Sequence, residues 1–424
     1  MSQRTYHDPL HGAIRLDRSA PAEALAIDLI DTIPFQRLRR IRQLGPAFLT
    51  FHGAESSRFT HSLGVLHLAR LALGHLERGH PELAEHRSLL YAAALLHDVG
   101  HGPLSHTGEE MFGLRHEDWS GRLIREHPAL RERLEAERTG LADAVANLLN
   151  HGPIDCPAIE SLVSSQLDCD RLDYLMRDSY STGTSYGQLD LERILAALTL
   201  APDGSLAIHP KGLMAVEHYL VVRQLMYRSV YNHRLNVVCN WLLSKAIACA
   251  RRLGPKEVWC DSVMERWLWH SDQLDIETYL ANDDLRTGYH LMRWREEAPE
   301  ALAEPSRRLL DRDLLRAADV SDLLPTERLE LLAQAQTLCR RAGLQAETCC
   351  DLQQRQSRGY HVYRRGLRLW DGERLQALEQ RSSLVNSLAQ NQEMAWLIHP
   401  EPIGTSLQSL LRHLRERKGS DRGA

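Results

Sequence analysis

The stretch "LLHDVGHGPLSH", from Leu95 to His106, places three histidines and an aspartate beside two glycines and a proline. His97 and Asp98 come at the end of a strongly apolar segment, where a buried charge without a partner would be costly. A metal ion removes that cost, and neutral imidazole together with carboxylate suits Mn, Fe, Zn or Ni. A His-Asp dipeptide alone is more often a hydrogen-bonded surface pair, so the prediction of a metal depends on the rest of the chain.

Two further segments carry matching side chains. The segment "SSRFTHSLGV" contains His61, and "SQLDCDRLDYLMRDS" contains Asp168 and Asp170. The resulting order H, HD, D resembles that of the HD-domain metal-dependent phosphohydrolases, and more closely their dNTP triphosphohydrolase branch, which includes the SAM-and-HD-domain and bacterial dGTP triphosphohydrolases. The resemblance begins at "YHDPLHGAIRLD", continues through "IDTIPFQRLRRIRQLG" and ends near "YNHRLNV", so it spans more than half of the chain.

The resemblance implies a bound divalent transition metal, Mn, Fe, Zn or Ni, with Mg as a candidate second ion. Three or four protein ligands that leave positions open for water and phosphate are what metal-assisted hydrolysis requires. Matched residue by residue, the implied metal ligands are His61, His97, Asp98 and Asp170.

The same resemblance assigns the catalytic residues to the loop and helix that follow Gly100. It implies that His101 and His106 contact the phosphates and transfer protons at the α-phosphate, and His116 matches another histidine on the phosphate side. Glu109 lies three residues after His106, so it could orient that imidazole across one helical turn. The family usually has aspartate at this position, which leaves the pairing distance open.

Substrate contacts are implied on both sides of the predicted metal ligands. Arg58 and Arg171 match basic residues that hold the triphosphate in the family. Other positions match residues that meet the deoxyribose, where polar groups bind the 3′-OH and a close apolar wall rejects a 2′-OH. These positions are Gln43, Leu44, Tyr174 and Asp178. Structural ion pairs are the expectation for Asp168, Asp173 and Arg177.

These residues favour an enzyme that hydrolyses dNTPs, with dGTP as one candidate preference, to deoxynucleoside and inorganic triphosphate. The alternatives are an HD phosphohydrolase of another specificity (a nucleoside monophosphatase, a cyclic-nucleotide phosphodiesterase or a nuclease) and a non-catalytic nucleotide or nucleic-acid binder. All implied ligands are present, so the sequence gives no sign that catalysis has been lost.

A possible regulatory segment is "IDTIPFQRLRR". In the family, residues matching Asp31, Gln36 and Arg39 read an activating nucleotide between subunits. The asparagine that precedes "DP" in that pattern is His7 here. The resemblance therefore supports a homo-oligomer, a dimer or larger, more than it supports activation by dGTP.

The elements that must position these residues are predicted to be mainly helices. The segment "HSLGVLHLARLALGHL" repeats leucine at intervals of three and four, and "SLLYAAALLHDVG" predicts a buried helix that Gly100 ends. Around "LQAETCCDLQQRQSRGYHVYRRGLRLWDGERL", alternation and glycine turns favour a small strand pair. In contrast, "REEAPEALAEPSRR" is typical of a linker.

The predicted fold class is mainly α, an HD-domain helical bundle with a helical extension and a small α+β C-terminal part. We expect an HD phosphohydrolase core at residues 1–240 and a helical extension at 241–310. An accessory C-terminal lobe with a small β element is expected at 311–415, followed by a flexible tail at 416–424.

Composition narrows the class of protein. The chain has 424 residues, of which 43% are hydrophobic, enough for a large core. Its net charge of -5 argues against a general nucleic-acid coat, so a nucleic-acid partner is not indicated. The sequence shows neither an apolar signal segment nor a long apolar run, which predicts a cytoplasmic protein without a membrane partner. The eight cysteines form no CxxC pair and are expected to be reduced thiols.

Overall fold

The computed structural model describes residues 3–152, 154–357, 359–362 and 366–421. Helices make up most of it, which confirms the mainly α fold expected from the sequence. The α-helices before residue 230 are α1 (Pro21–Ile30), α2 (Ile33–Arg37), α3 (Arg58–Leu76), α4 (Arg87–Leu96), α5 (His106–Phe112), α6 (His116–Glu126), α7 (Pro128–Glu137), α8 (Leu141–Leu149), α9 (Pro157–Val163), α10 (Cys169–Thr182), α11 (Leu191–Ala196) and α12 (Leu213–Met226).

The rest of the chain adds shorter helices and most of the strands. The later α-helices are α13 (Arg234–Leu253), α14 (Ser262–Trp269), α15 (Ile276–Leu280), α16 (Asp284–Glu297), α17 (Glu300–Leu310), α18 (Pro325–Arg341), α19 (Ala346–Cys349), α20 (Leu378–Arg381), α21 (Ser383–Leu388) and α22 (Gly404–Asp421). The strands are β1 (Gln3–Asp8), β2 (Gly12–Asp17), β3 (Leu198–Leu200), β4 (Leu206–Ile208), β5 (Arg316–Asp319), β6 (Asp351–Ser357), β7 (Arg368–Trp370), β8 (Leu375–Ala377) and β9 (Gln392–His399).

The chain forms two compact units, each built from segments that are distant in sequence. The first unit consists of Met1–Tyr227, Cys260–Tyr289 and Arg358–Gln390, and the second of Arg228–Trp259, His290–Ser357 and Asn391–Ala424. The contiguous domain boundaries expected from the sequence remain a prediction.

The C-terminal helix reaches into the segment that was expected to be a flexible tail. Helix α22 continues to Asp421, so it includes the first part of residues 416–424. Residues 422–424 lie outside the described part of the chain.

The core of the first unit is built around α3, which packs against α4 and α10. Helix α3 begins after Ser57, whose hydroxyl accepts a hydrogen bond from the Thr60 N–H. Every residue of α4 from Leu89 to Leu96 is buried, which explains why this helix is apolar on all sides. Both helices therefore carry their polar residues into the interior. Within the described part of the chain, no helix combines the length and the apolar character needed to cross a bilayer.

Helix α10 is fixed at both ends. Asp168 is its N-cap and accepts a hydrogen bond from the Arg171 N–H at 2.8 Å. At the other end, Gly183 adopts a left-handed conformation with φ of 73°, the usual way to end a helix. The cap places Asp170 in the first turn of the helix, next to α3.

Three small sheets complete the two units. In the first unit, β1 and β2 form an antiparallel hairpin, and a second sheet has the order β3-β4-β7-β8. In the second unit, β5, β9 and β6 form an antiparallel sheet. The strand pair expected near the C-terminus is therefore β7 and β8, whereas β6, predicted in the same region, belongs to a different sheet.

The predicted linker at "REEAPEALAEPSRR" is wrong. Helix α16 runs to Glu297, and α17 begins three residues later and contains Pro305. A proline inside a helix removes one hydrogen bond and disfavours the helix locally. The helix forms because Leu302, Ala303 and Leu309 are buried, and α17 packs against α13 within the second unit.

Candidate active site

Four side chains converge where α4 ends. His61 and Asp170 lie near the starts of α3 and α10, and His97 and Asp98 directly follow α4. His61 Nε2 is 3.0 Å from Asp170 Oδ1 and 3.2 Å from His97 Nε2. Oxygens of Asp98 lie 3.4 Å from His97 Nε2 and 3.6 Å from His61 Nε2. The structure thus brings together the four residues expected to be metal ligands.

The spacing of these atoms fits a divalent cation. Bonds of about 2.0–2.2 Å from the metal to nitrogen and oxygen place neighbouring ligand atoms roughly 3.0–3.4 Å apart. The ligand atoms of His61, His97 and Asp170 lie within 4.8 Å of one another, which leaves little adjustment to make. Two imidazoles with carboxylates suit a transition metal better than calcium or magnesium, which prefer oxygen ligands alone.

The hydrogen bonds on the far side of each imidazole select the ring nitrogen that faces the ligand set. His97 Nδ1 donates to the Ala94 carbonyl oxygen at 2.9 Å, and His61 Nδ1 donates to Asp173 Oδ2 at 2.7 Å. Both acceptors lack a hydrogen, so the Nδ1 atoms carry the proton. The two Nε2 atoms therefore point their lone pairs toward the common centre, as metal-binding histidines require.

Charge in the site favours ligation. Burial disfavours ionisation of Asp98, but the Arg58 guanidinium and the adjacent histidines outweigh it and hold the pKa of Asp98 well below its usual range. Burial likewise opposes a charged His61, yet its hydrogen bonds to Asp170 and Asp173 raise its pKa to about 10. The carboxylates are therefore ionised, and a cation bound at His61 Nε2 would take the place of a proton.

A second cluster lies beside the first and is centred on one oxygen of Glu109. The Oε1 atom of Glu109 is 2.5 Å from His116 Nδ1, 3.2 Å from His106 Nδ1 and 3.3 Å from His101 Nδ1. His101 also stacks on His116, with ring centroids 3.8 Å apart. The pairing of Glu109 with His106 expected across one helical turn is present, and the carboxylate also holds two more histidines.

His101 joins the two clusters. Its Nε2 atom lies 3.3 Å from Asp98 Oδ1, but neither ring nitrogen has a well-aligned hydrogen-bond partner within the described part of the chain. Burial and the nearby Arg58 charge keep the pKa of His101 well below its usual range, so the ring is neutral. His106, by contrast, has 69% of its side chain exposed. The cluster thus combines a buried, neutral imidazole with one that reaches solvent.

A strained turn aims this second cluster. Leu104 and Ser105 have φ angles of 61° and 56°, a left-handed conformation that costs non-glycine residues about 1–3 kcal/mol each. The Leu104 N–H donates to Asp284 Oδ1 at 2.7 Å, and the Ser105 hydroxyl donates to the Arg42 carbonyl at 2.6 Å. A side chain at Gly108 would lie 2.0 Å from the Pro103 carbonyl oxygen, so the turn also depends on that glycine. Helix α5 then begins at His106 in a fixed direction.

Arg58 lies at the boundary between the clusters. Its Nη1 donates to Asp98 Oδ2 at 2.6 Å and its Nε to the Ser105 hydroxyl at 2.9 Å. The side chain is almost fully buried, so this ion pair is well shielded from water. Arg58 was expected to hold the triphosphate, and here it also neutralises one of the four ligand residues.

Two further arginines could meet a phosphate chain. Arg171 pairs with the capping carboxylate Asp168, which confirms that Asp168 forms a structural ion pair, and its Nε has no hydrogen-bond partner among the described residues. Arg223, on α12, is buried, and neither its Nε nor its Nη1 finds a partner in the described chain. Sequence reasoning missed Arg223, although a lone arginine in the apolar run "YLVVRQLM" was a signal, because an arginine is rarely buried without a role.

The residues expected at the sugar lie on two segments. Gln43 is buried next to Arg58, its carbonyl oxygen 3.4 Å from Arg58 Nη2, and the half-buried Leu44 follows it. Tyr174 is one helical turn after Asp170 on α10, with its hydroxyl 3.5 Å from that of Tyr227. Asp178, a further turn along the same helix, is fully buried. Their contact with a deoxyribose remains a prediction.

The N-terminal hairpin also reaches this site, which the sequence reasoning did not foresee. His11, in the turn between β1 and β2, lies 2.6 Å from Asp173 Oδ1 through its Nε2 atom. Asp173 forms the expected ion pair with Arg177 and, in addition, holds His61. A turn-forming "DPLHG" between two alternating segments was the available signal for the hairpin.

Comparison with known proteins agrees with this geometry. Residues 58–178 match the family model described as HD domain, and residues 189–399 match the model described as HD associated region. The uncharacterized protein YwfO of Bacillus subtilis is 34% identical over 366 residues, which cover 86% of this chain and 82% of YwfO. The deoxynucleoside triphosphate triphosphohydrolase SAMHD1 of Gallus gallus is 29% identical over 282 residues, 57% of this chain and 45% of SAMHD1.

Solved structures share the fold over nearly the whole chain. A crystal structure of a phosphohydrolase from Bacteroides thetaiotaomicron superposes with a TM-score of 0.81 at 25% identity, covering 94% of this chain and all of that one. A hypothetical protein from Aquifex aeolicus has the same fold, with a TM-score of 0.76. The paired His-Asp centre, the two family matches and these relatives lead to one conclusion: the chain belongs to the HD-domain phosphohydrolase superfamily.

Proposed function

We propose that this phosphohydrolase cleaves dNTPs at the α-phosphorus and releases deoxynucleoside and intact triphosphate. The observation that carries the proposal is the adjacency of two clusters, a metal-ligand set and a carboxylate-held group of histidines. They meet where His101 Nε2 and Asp98 Oδ1 are 3.3 Å apart. Such an arrangement places a site for charge stabilisation next to a source of protons, the two functions that phosphate ester cleavage requires.

The residues of the chain divide these tasks. A divalent transition metal held by His61, His97, Asp98 and Asp170 would supply Lewis-acid stabilisation of phosphate charge and activate water. His106, exposed and held by Glu109, is placed to protonate the departing 5′-oxygen of the nucleoside.

Binding of the rest of the substrate is assigned by charge and by the family resemblance. Arg171 and Arg223 carry nitrogen atoms without hydrogen-bond partners in the described chain, and guanidinium groups bind phosphate oxygens well. Gln43, Leu44, Tyr174 and Asp178 would hold the deoxyribose and exclude a 2′-hydroxyl. The SAMHD1 relative, which is named for this activity, supports the same assignment.

The experiment is a substrate panel with product identification. The protein is loaded with Mn, incubated with each dNTP and each NTP, singly and mixed, and the products are separated by ion-exchange chromatography. We expect deoxynucleoside and triphosphate in equal amounts, with little turnover of NTPs. An Asp170→Asn variant is the matched control that should lose activity. Formation of dNMP or dNDP as first product would reject the proposal in favour of an HD phosphohydrolase of another specificity.

The quaternary state and location follow the same resemblance. We propose a cytoplasmic homo-oligomer, as the matches to Asp31, Gln36 and Arg39 imply. Light scattering after gel filtration, with and without dGTP, measures the oligomeric state. A monomer under both conditions would contradict this part of the proposal.

A further inference from the structure

The turn of the N-terminal hairpin is fixed by its own aspartate. Asp8 Oδ1 accepts hydrogen bonds from the backbone N–H groups of Leu10 and His11 at 2.9 and 2.8 Å. A carboxylate that caps its own turn in this way restricts the backbone of the next residues. The His11 side chain is therefore held in one direction, toward α10.

His11 is two hydrogen bonds away from an implied metal ligand. Its Nε2 atom lies 2.6 Å from Asp173 Oδ1, and the other oxygen of Asp173 accepts from His61 Nδ1 at 2.7 Å. The His11 side chain is 5% exposed, and those of Asp173 and His61 are fully buried. Because an ionised carboxylate only accepts hydrogen bonds, His11 donates through Nε2.

Arg177 completes the arrangement around Asp173. Its Nε and Nη2 donate to the two oxygens of Asp173 at 2.7 and 2.9 Å, and its Nη1 donates to Asp8 Oδ2 at 2.9 Å. Each oxygen of Asp173 thus accepts one bond from Arg177 and one from a histidine. With about four lone-pair positions in a carboxylate, no acceptor position remains free to let the group rotate.

We propose that His11 is a positioning residue of the metal centre: through Asp173, the N-terminal hairpin holds His61 in the orientation and tautomer that metal binding requires. Partners that hydrogen-bond to the outer nitrogen of a ligating histidine typically contribute 10–100-fold, as an order of magnitude, to metal affinity. His11 lies one step further out, but it supplies one of only four bonds that fix Asp173. The inference rests on metal ligation by His61 and is independent of which phosphate ester is the substrate.

The test measures binding of Co²⁺ alone to the full-length, metal-free protein, by chelator competition and by the visible absorption of the bound ion. His11→Leu removes the hydrogen bond, whereas His11→Gln keeps a nitrogen donor near the same place. The matched control is His7→Leu, a substitution of the exposed histidine in the same hairpin. Melting of each metal-free variant reports whether the fold is intact.

We expect His11→Leu to bind Co²⁺ about tenfold or more weakly and to shift its absorption bands, and we expect His11→Gln and His7→Leu to stay within about threefold of the wild type. Wild-type affinity and an unchanged spectrum in His11→Leu would overturn the inference. An equal loss in His11→Gln or His7→Leu would also overturn it, because packing of the hairpin would then be the cause. Failure of the wild type to bind Co²⁺ would instead refute the metal centre of the proposed function.

Discussion

At the scale of single residues, the site depends on which partner each ring nitrogen and carboxylate oxygen has. Asp98 gives one oxygen to Arg58 and turns the other toward His97, so the same carboxylate neutralises a buried guanidinium and faces the ligand set. Glu109 does the same for three histidines with a single oxygen. Substitutions at these two carboxylates should therefore affect different parts of the chemistry.

The Asp98→Asn variant should lose the metal. Asparagine keeps the shape but not the charge, and Arg58 then loses its counter-ion while keeping an oxygen acceptor. We expect metal affinity to fall by more than about 100-fold, since even outer partners of ligands contribute 10–100-fold. The buried guanidinium should also lower the free energy of unfolding by about 1–3 kcal/mol. Metal analysis and urea unfolding measure the two effects, and a variant with full metal content would remove Asp98 from the ligand set.

The His106→Ala variant should separate proton transfer from metal binding. His106 is mostly exposed and contacts Glu109 rather than the ligand set, so its removal should leave metal content unchanged. Turnover should fall by about two to four orders of magnitude, the usual contribution of a positioned acid. The control is His413→Ala, at an exposed histidine on α22. Near-normal turnover in His106→Ala would mean that another group donates the proton.

Sequence could identify the residues that belong to a linear motif, and not those that act through distant contacts. His97 and Asp98 were visible because a charged pair ends an apolar segment. The contact of His11 with Asp173 joins residues 162 positions apart, and no local spacing reports it. Arg223 was equally hidden, because its significance comes from unpaired nitrogen atoms in a buried place.

At the scale of elements, α3 brings ligand and support together on one side. His61 and Gly64 are three residues apart, and a Cβ atom at Gly64 would lie only 1.9 Å from Asp173 Oδ1. The glycine therefore allows α10 to approach α3 closely enough for Asp173 to reach His61. Close packing of two helices here is a condition for the metal centre.

Two glycines on α3 provide a matched pair of substitutions. Gly64→Ala should force Asp173 and Arg177 away, lower the free energy of unfolding by about 1–3 kcal/mol and weaken metal binding. Gly74→Ala has open space around its Cβ atom and should instead stabilise the helix by about 0.5–1 kcal/mol. Chemical unfolding and metal titration of both variants give the comparison. If Gly64→Ala behaved like Gly74→Ala, the helices would not need this close approach.

The contact between α3 and the hairpin should respond to acid through His67. Burial, followed by the nearby His11 and Arg70 charges, lowers the pKa of His67 from 6.5 to about 4. The unfolded chain therefore binds this proton more readily, so the stability contributed by neutral His67 is complete above about pH 6.5 and is lost as the pH falls toward 4. Allowing for partial solvent screening, the loss should be about 1–2 kcal/mol.

His67→Leu removes that titration. The His67 Nδ1 atom is buried without a hydrogen-bond partner in the described chain, so leucine costs no polar contact there. The free energy of unfolding of the variant, measured by urea at several pH values, should fall less than that of the wild type between about pH 6.5 and 4. Parallel pH profiles for the two proteins would contradict this role of His67.

Helices were predictable from sequence where their burial is uniform, and strands were not. The apolar runs of α3 and α4 indicate helices without any knowledge of the fold. Helix α17 was missed because its prolines outweigh its propensity locally, while its buried face stabilises it only in the folded unit. Strand β6 was assigned to the wrong partner, because pairing with β9 joins segments separated by the intervening helices.

At the scale of the whole molecule, family membership gives the class of reaction and leaves the bond to be established. The relatives with the same fold include a phosphohydrolase and a dNTP triphosphohydrolase. Both the ligand set and the histidines held by Glu109 are contained in the first unit. A single cleft would therefore have to hold the α-phosphorus, with the arginines reaching the rest of the phosphate chain.

The most direct measurement is hydrolysis of a dNTP in oxygen-18 water, with the products analysed by mass spectrometry. The metal ligands and His106 together predict attack by water on the α-phosphorus and departure of the nucleoside 5′-oxygen. The label should then appear in the triphosphate, on its α-derived phosphate, and the deoxynucleoside should carry none. Label in free orthophosphate or pyrophosphate, or in the 5′-oxygen of the nucleoside, would contradict the proposed reaction.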